Sequence, residues 1–142
     1  MITNERQYAI TKAQVERFKE ALAQSGSQQK NLHPKAQKAM RAGIESQLQD
    51  LQAEVADYEK LRGGKVVSIT ANSILDIAQA LIKARIARNL TQKELAERLN
   101  LPEQQIQRYE ATLYKGVSVE RLQEIADALK LRVREVITLD PM

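Results

Sequence analysis

The residues best suited to chemistry lie between Glu103 and Arg108. Glu103, Gln104, Gln107 and Arg108 would share the outer face of a short helix whose inner face carries Ile106 and Tyr109. A glutamine amide binds adenine N6 and N7 with both of its ends, and a guanidinium forks onto guanine O6 and N7. A carboxylate accepts from cytosine N4 but repels phosphate, so Glu103 would serve selectivity rather than affinity. This is recognition chemistry, suited to the DNA major groove. Catalytic chemistry has little to draw on. His33 is the sole histidine and sits beside Pro34, where a solvated or helix-capping role suffices. There is no cysteine for a thiolate or a zinc cluster, and Gly63-Gly64 lacks the rest of a phosphate-binding loop. The chain is therefore expected to be no enzyme and to need no cofactor or metal.

The recognition face needs a support, and the preceding residues provide one. Thr91 and Glu94 have the spacing of a capping box, which starts a helix carrying Leu95, Ala96 and Leu99 inward. Asn100 tolerates the left-handed backbone of a tight corner. Pro102 then opens the second helix where its missing N–H costs nothing. The spacing predicts two short helices joined by a corner over Leu90–Glu110. Before them, Leu75, Ala78, Leu81, Ile82 and Ile86 make an apolar helical face running to about Arg88, with Ser73 and Asp76 as its capping pair and Asn89 as its stop. After them come a loop over Ala111–Val117 and a helix capped by Ser118, with Leu122, Ile125, Ala126 and Leu129 inward. A short final helix or turn is expected from Arg132 to Ile137, and the last residues should fray.

The segment from about Ser73 to Val136 resembles the helix-turn-helix of the Cro/C1 (XRE-like) repressor family. The resemblance implies an all-α, five-helix, lambda repressor-like domain in which the helix opened by Pro102 reads bases through Glu103, Gln104 and Arg108, with Gln107 as a further reader. It implies that Gln92 contacts a phosphate and buttresses the recognition helix, and that Arg85 and Glu110 form a buried structural ion pair. Lys93, Arg88, Tyr114 and Lys115 are the further phosphate candidates. The sequence departs from the family in three places. Asn100 stands at the usual turn glycine, Pro102 stands at the usual Ser or Thr cap, and no glycine follows Glu110 closely.

The amino-terminal part reads differently. Tyr8, Thr11, Val15, Phe18 and Leu22 fall on one helical stripe over about Asn4–Gln24, with Thr3 as its cap. Gln24–Asn31 reads as a flexible connection. A second helix is expected from Pro34 to about Arg62. Its residues Ile44, Leu48, Leu51, Val55 and Tyr58 alternate spacings of four and three, the heptad seam of a short coiled coil. A helical hairpin over 1–64 results, its narrow stripe available for dimerisation, for its own partner helix or for another protein. Residues 65–72 would be a linker or a short strand, and 73–142 the DNA-binding domain.

Composition limits the partners. The net charge is +4, split as 11 basic and 8 acidic side chains up to Asn72 and 11 and 10 beyond it. The proposed DNA-binding half is nearly neutral, so its affinity must come from where its cations sit. No apolar run approaches the roughly 18 residues of a membrane span. A soluble, cytoplasmic protein without a membrane partner is expected. The leading reading is a regulator, expected to be a repressor, that binds double-stranded DNA as a homodimer on a palindrome. The alternative is an antitoxin-like protein whose amino-terminal helices hold a toxin while the other half autoregulates its operon.

Overall fold

The computed structural model describes residues 1–28 and 33–142, with residues 25–28 as helix backbone only. Six helices and no strand occur among the described residues. They are α1 (Glu5–Gln28), α2 (Pro34–Arg62), α3 (Asp76–Ala87), α4 (Gln92–Arg98), α5 (Glu103–Ala111) and α6 (Val119–Ala128). The chain divides into two units, Met1–Val66 and Val67–Met142.

In the first unit α1 and α2 form an antiparallel hairpin. Residues early in α1 meet residues late in α2: Glu5 accepts from the Tyr58 hydroxyl at 3.1 Å and pairs with Arg62 at 2.6 Å. One turn on, the Tyr8 hydroxyl donates to Glu59, which holds the Tyr8 phenol above its usual range. The Tyr8 and Tyr58 rings lie 5.0 Å apart. Thr11, Val15, Leu48 and Tyr58 are buried, whereas Ile44, Leu51, Val55, Phe18 and Leu22 are half-buried. The heptad residues Leu48 and Tyr58 are thus covered within one chain, and the rest of the seam keeps an open edge.

Two local expectations need correction here. Asn4, not Thr3, caps α1: its Oδ1 accepts from the Gln7 amide at 2.8 Å. Helix α1 also runs on through Gln28, four residues beyond the expected end at Gln24; Gln29–Asn31 lie outside the described residues. His33 caps α2 by accepting from the Lys35 amide through Nδ1, and Pro34 opens that helix. Gly63 closes α2, and Gly64 takes the left-handed backbone that turns the chain away, at φ 76°. Residues 65–71 form no strand, and Val67 is 97% exposed. A lone β-branched run has no ladder partner here.

The second unit is built on α3. Ser73 Oγ accepts from the Asp76 amide, and Asp76 Oδ2 accepts from the Asn72 amide, fixing the helix start. Leu75 was expected on the apolar face, but α3 begins one residue later and leaves it 86% exposed. Leu81, Ile82 and Ile86 point inward with Leu95, Ala96, Ile106, Ile125, Ala126 and Leu129. Of these, Ile82, Leu95, Ile106, Ile125 and Leu129 are fully enclosed and define the core. The domain holds four helices rather than five: residues 131–142 form neither helix nor strand. Val133, Val136 and Ile137 are β-branched and more than half exposed, so the last segment has neither propensity nor a buried face to drive a helix.

Candidate nucleic-acid interface

Helix α4 and α5 meet through a corner whose geometry follows from the residues in it. The capping box is complete: Thr91 Oγ1 accepts from the Glu94 amide at 3.0 Å, and Glu94 Oε2 accepts from the Thr91 amide at 3.4 Å. Asn100 takes φ 55°, and the Leu101 amide donates back to the Ala96 carbonyl, which ends α4 in one turn. Pro102 is the residue before the first helical turn, at φ −65° and ψ 146°, and no side chain caps α5. The proline therefore sets the direction of entry without a side-chain cap, its carbonyl accepting from the Gln105 amide at 3.0 Å.

Helix α5 presents Glu103, Gln104, Gln107 and Arg108 to solvent on one side while Ile106 is fully buried on the other. The Gln107 amide reaches back to Glu103 at 3.4 Å, so those two side chains are already in contact. Gln104 and Arg108 lie on the same exposed face.

Behind α5 sits a buried polar cluster. Arg85 is 3% exposed and Glu110 4%. The Arg85 guanidinium forks onto the Glu110 carboxylate, Nε to Oε2 at 2.6 Å and Nη2 to Oε1 at 2.8 Å. Its Nη1 donates to the Leu90 carbonyl at 2.8 Å. Gln92, also buried, donates from Nε2 to Glu110 Oε1 at 2.9 Å. Three elements are joined through one carboxylate: α3 by Arg85, α4 by Gln92 and α5 by Glu110. The side chain of Gln92 is committed to this buttress and is not turned outward to a phosphate.

Two other phosphate candidates have different roles. Arg88 donates to the Leu129 carbonyl at 3.0 Å and the Lys130 carbonyl at 2.9 Å, and Arg98 donates to the Ala128 carbonyl at 3.0 Å. Both guanidinium groups bind the carbonyl end of α6, where a helix carries partial negative charge. Tyr114 is 4% exposed, packs 5.6 Å from the Tyr109 ring and has a buried hydroxyl with no hydrogen-bond partner among the described residues. It is a core residue. Burial, reinforced by the nearby Glu110 charge, pushes its phenol well above the tyrosine value of 10.0. The backbone brings Tyr114 inward through two successive left-handed residues, Leu113 at φ 51° and Tyr114 at φ 56°. Lys93 and Lys115 remain exposed.

At the far end of α5 lies a shallow hollow of about 350 Å³ bordered by Arg108, Thr112, Lys115 and Arg121. Three cations gather there from α5, the following loop and the first turn of α6. Arg121 was not singled out from the sequence, since its neighbour Glu124 pairs with it at 2.8 Å and makes it look like an ordinary solvated residue. Its place three residues after the Ser118 cap was the available signal.

A family model described as Helix-turn-helix matches residues 81–136. That segment spans α3 from its first core leucine, the α4–α5 corner and α6. It is a helix-turn-helix domain of the Cro/C1 type, all-α among the described residues, the DNA-binding domain of a transcription regulator. No curated protein and no solved structure matches the chain. No helix among the described residues is long and apolar enough to cross a membrane.

Proposed function

We propose that the protein is a sequence-specific transcriptional regulator that binds a palindromic operator as a dimer and represses by occupying it. The observation that carries this reading is the exposed row Glu103, Gln104, Gln107 and Arg108 on a helix anchored from behind by the Arg85–Glu110–Gln92 cluster. Gln104 and Arg108 supply the bidentate contacts to adenine and guanine. Glu103 selects against bases that offer it no donor. Lys93, with Lys115 and Arg121 in the hollow beyond Arg108, takes the phosphates and fixes the register. One such head reads only a few base pairs, too few to find one site among a genome's competitors. Pairing supplies the second half-site about one helical turn away. The open edge of the hairpin seam, Ile44, Leu51 and Val55, is the proposed contact between copies, with Leu48 and Tyr58 beneath it.

The test is fluorescence anisotropy on duplexes selected from a random pool by the full chain. Arg108→Ala should cost about 1–3 kcal/mol on the selected sequence and relax the preference at one base position. Lys93→Ala should weaken all duplexes alike. A selected duplex that binds no tighter than a scrambled one would overturn the reading.

A further inference from the structure

We infer that the two copies join with their hairpins pointing the same way, α1 of each lying against α2 of the other, about a two-fold axis that runs along the helices. This deepens the proposed dimer and rests on it. Charge supplies the partner. Between Glu45 and Glu59, α2 carries five acidic side chains, Glu45, Asp50, Glu54, Asp57 and Glu59, and no basic one. Between Arg6 and Lys19, α1 carries four basic side chains, Arg6, Lys12, Arg17 and Lys19, against Glu16 alone. All of these are exposed except Glu54, which is half-buried. The hairpin thus has one basic and one acidic half, and a second copy of the same hairpin is its electrostatic complement. The contacts within the hairpin supply the register. Glu5 is level with Arg62 and Tyr8 with Glu59. Each three residues gained along α1 are matched by three lost along α2, so Arg17 comes level with Asp50. Each stands one residue before a half-buried apolar residue, Phe18 and Leu51, and flanks the open edge of the seam on its own helix. Neither makes an ion pair with another described residue.

Symmetry then separates two arrangements. A two-fold axis along the helices keeps every residue at its own level and sets α1 antiparallel to α2 of the other copy. Arg17 meets Asp50 of the other copy, and symmetry makes that contact twice. Phe18, Ile44 and Leu51, which a lone pair of helices leaves half-buried, close beneath it. A two-fold axis across the helices sets α2 on α2 and α1 on α1 instead. With that axis near the middle of the acidic stretch, Glu54 meets itself and Asp50 meets Asp57, while cations face cations on α1. Like charges so placed oppose association. In the lengthwise arrangement basic and acidic helices alternate around a four-helix bundle in which every neighbour is antiparallel. Both chains then leave the bundle at one end, after Gly63.

The test uses the full chain and two separate charge reversals, Arg17→Asp and Asp50→Arg, with dimer dissociation followed by analytical ultracentrifugation. Both positions are exposed, so circular dichroism should be unchanged. Each variant alone sets two like-charged pairs in the interface, and its dimer should dissociate at least about fivefold more readily than the unaltered chain. An equimolar mixture of the two variants should recover the original constant, because their heterodimer holds two opposite pairs. Mixing restores only contacts between copies, so a pairing of Arg17 with Asp50 inside one hairpin would gain nothing from it. The crosswise arrangement makes the contrary forecast, since Asp50→Arg would then face Asp57 and tighten the dimer. A tighter Asp50→Arg dimer overturns the inference, as does a dimer indifferent to both substitutions or a mixture no tighter than its components. In each of those results the dimer itself stands. An unaltered chain that stays monomeric overturns the proposed dimer and this geometry together, which keeps the two failures apart.

Discussion

At the scale of single residues, the cost of holding α5 in place is concentrated behind it. Glu110 receives the Arg85 fork and the Gln92 amide in a space closed to water. Glu110→Ala would leave a guanidinium buried and unpaired, and should destabilise the domain by about 3–5 kcal/mol in urea denaturation. Nearby, the Tyr114 hydroxyl is buried without a partner among the described residues. Tyr114→Phe keeps the packing against Tyr109 and removes that desolvated group, so it should be neutral or stabilising by up to about 1 kcal/mol. The same residue sets an alkaline limit. Its folded phenol holds its proton above 10.0, whereas the unfolded one releases it near that value. Above that pH the unfolded state binds fewer protons at this group, so its contribution to stability, constant below that pH, falls as pH rises. Thermal unfolding between pH 8 and 11.5 should show this decline (about that range covers the unfolded tyrosine value), and Tyr114→Phe should reduce it. Leu113 offers a separate check, since it sits half-exposed at φ 51°. Leu113→Gly relieves that strain and should leave stability unchanged or raise it by up to about 1 kcal/mol.

At the scale of elements, helix ends decide where the recognition face points. Thr91 and Glu94 start α4, Asn100 turns it, and Pro102 sets the angle of α5 without capping it. Pro102→Ser should add a side-chain cap and about 1 kcal/mol of local stability. It should also loosen the fixed entry, which would show as faster amide exchange over residues 99–104. Much of this level was legible in the sequence. Capping box, corner asparagine and the inward Ile106 are local signals, and a local signal survives without knowledge of the fold. What was not legible depends on distant partners. Nothing in the neighbourhood of Arg88 says that it will find the carbonyl end of α6, and nothing near Tyr114 says that two left-handed residues will carry it inward. The same holds for Leu75, placed on the apolar face by spacing alone until the helix began one residue after it. The fifth helix failed for the opposite reason. Its residues have a strand's composition, and periodicity over so few positions does not separate the two.

At the scale of the whole molecule, the DNA-binding unit is nearly neutral, with 11 basic and 10 acidic side chains beyond Asn72. A neutral domain cannot hold duplex by general attraction, so its phosphate contacts must be few and placed. The salt dependence of binding should therefore be shallow, with a slope of about −0.9 for each phosphate held by Lys93, Lys115 or Arg121. Arg121→Ala should flatten that slope by about one contact without changing which sequence is preferred. In the proposed function the hairpin supplies the pairing that one head lacks. Its seam is partly used within the chain, at Leu48 and Tyr58, and partly left open, at Ile44, Leu51 and Val55. That division is why a heptad pattern alone leaves the partner of α2 undecided.

The central claim is that the exposed row on α5 chooses the sequence. The measurement that bears on it most directly is a base-by-base affinity profile of the full chain and of Arg108→Ala on the selected duplex, at one fixed salt concentration. Arg108→Ala should lose discrimination at one guanine in each half-site only, with the affinity for scrambled duplex far less affected. An equal loss on selected and scrambled duplexes would contradict it, since Arg108 would then be holding phosphate and the choice of sequence would lie elsewhere.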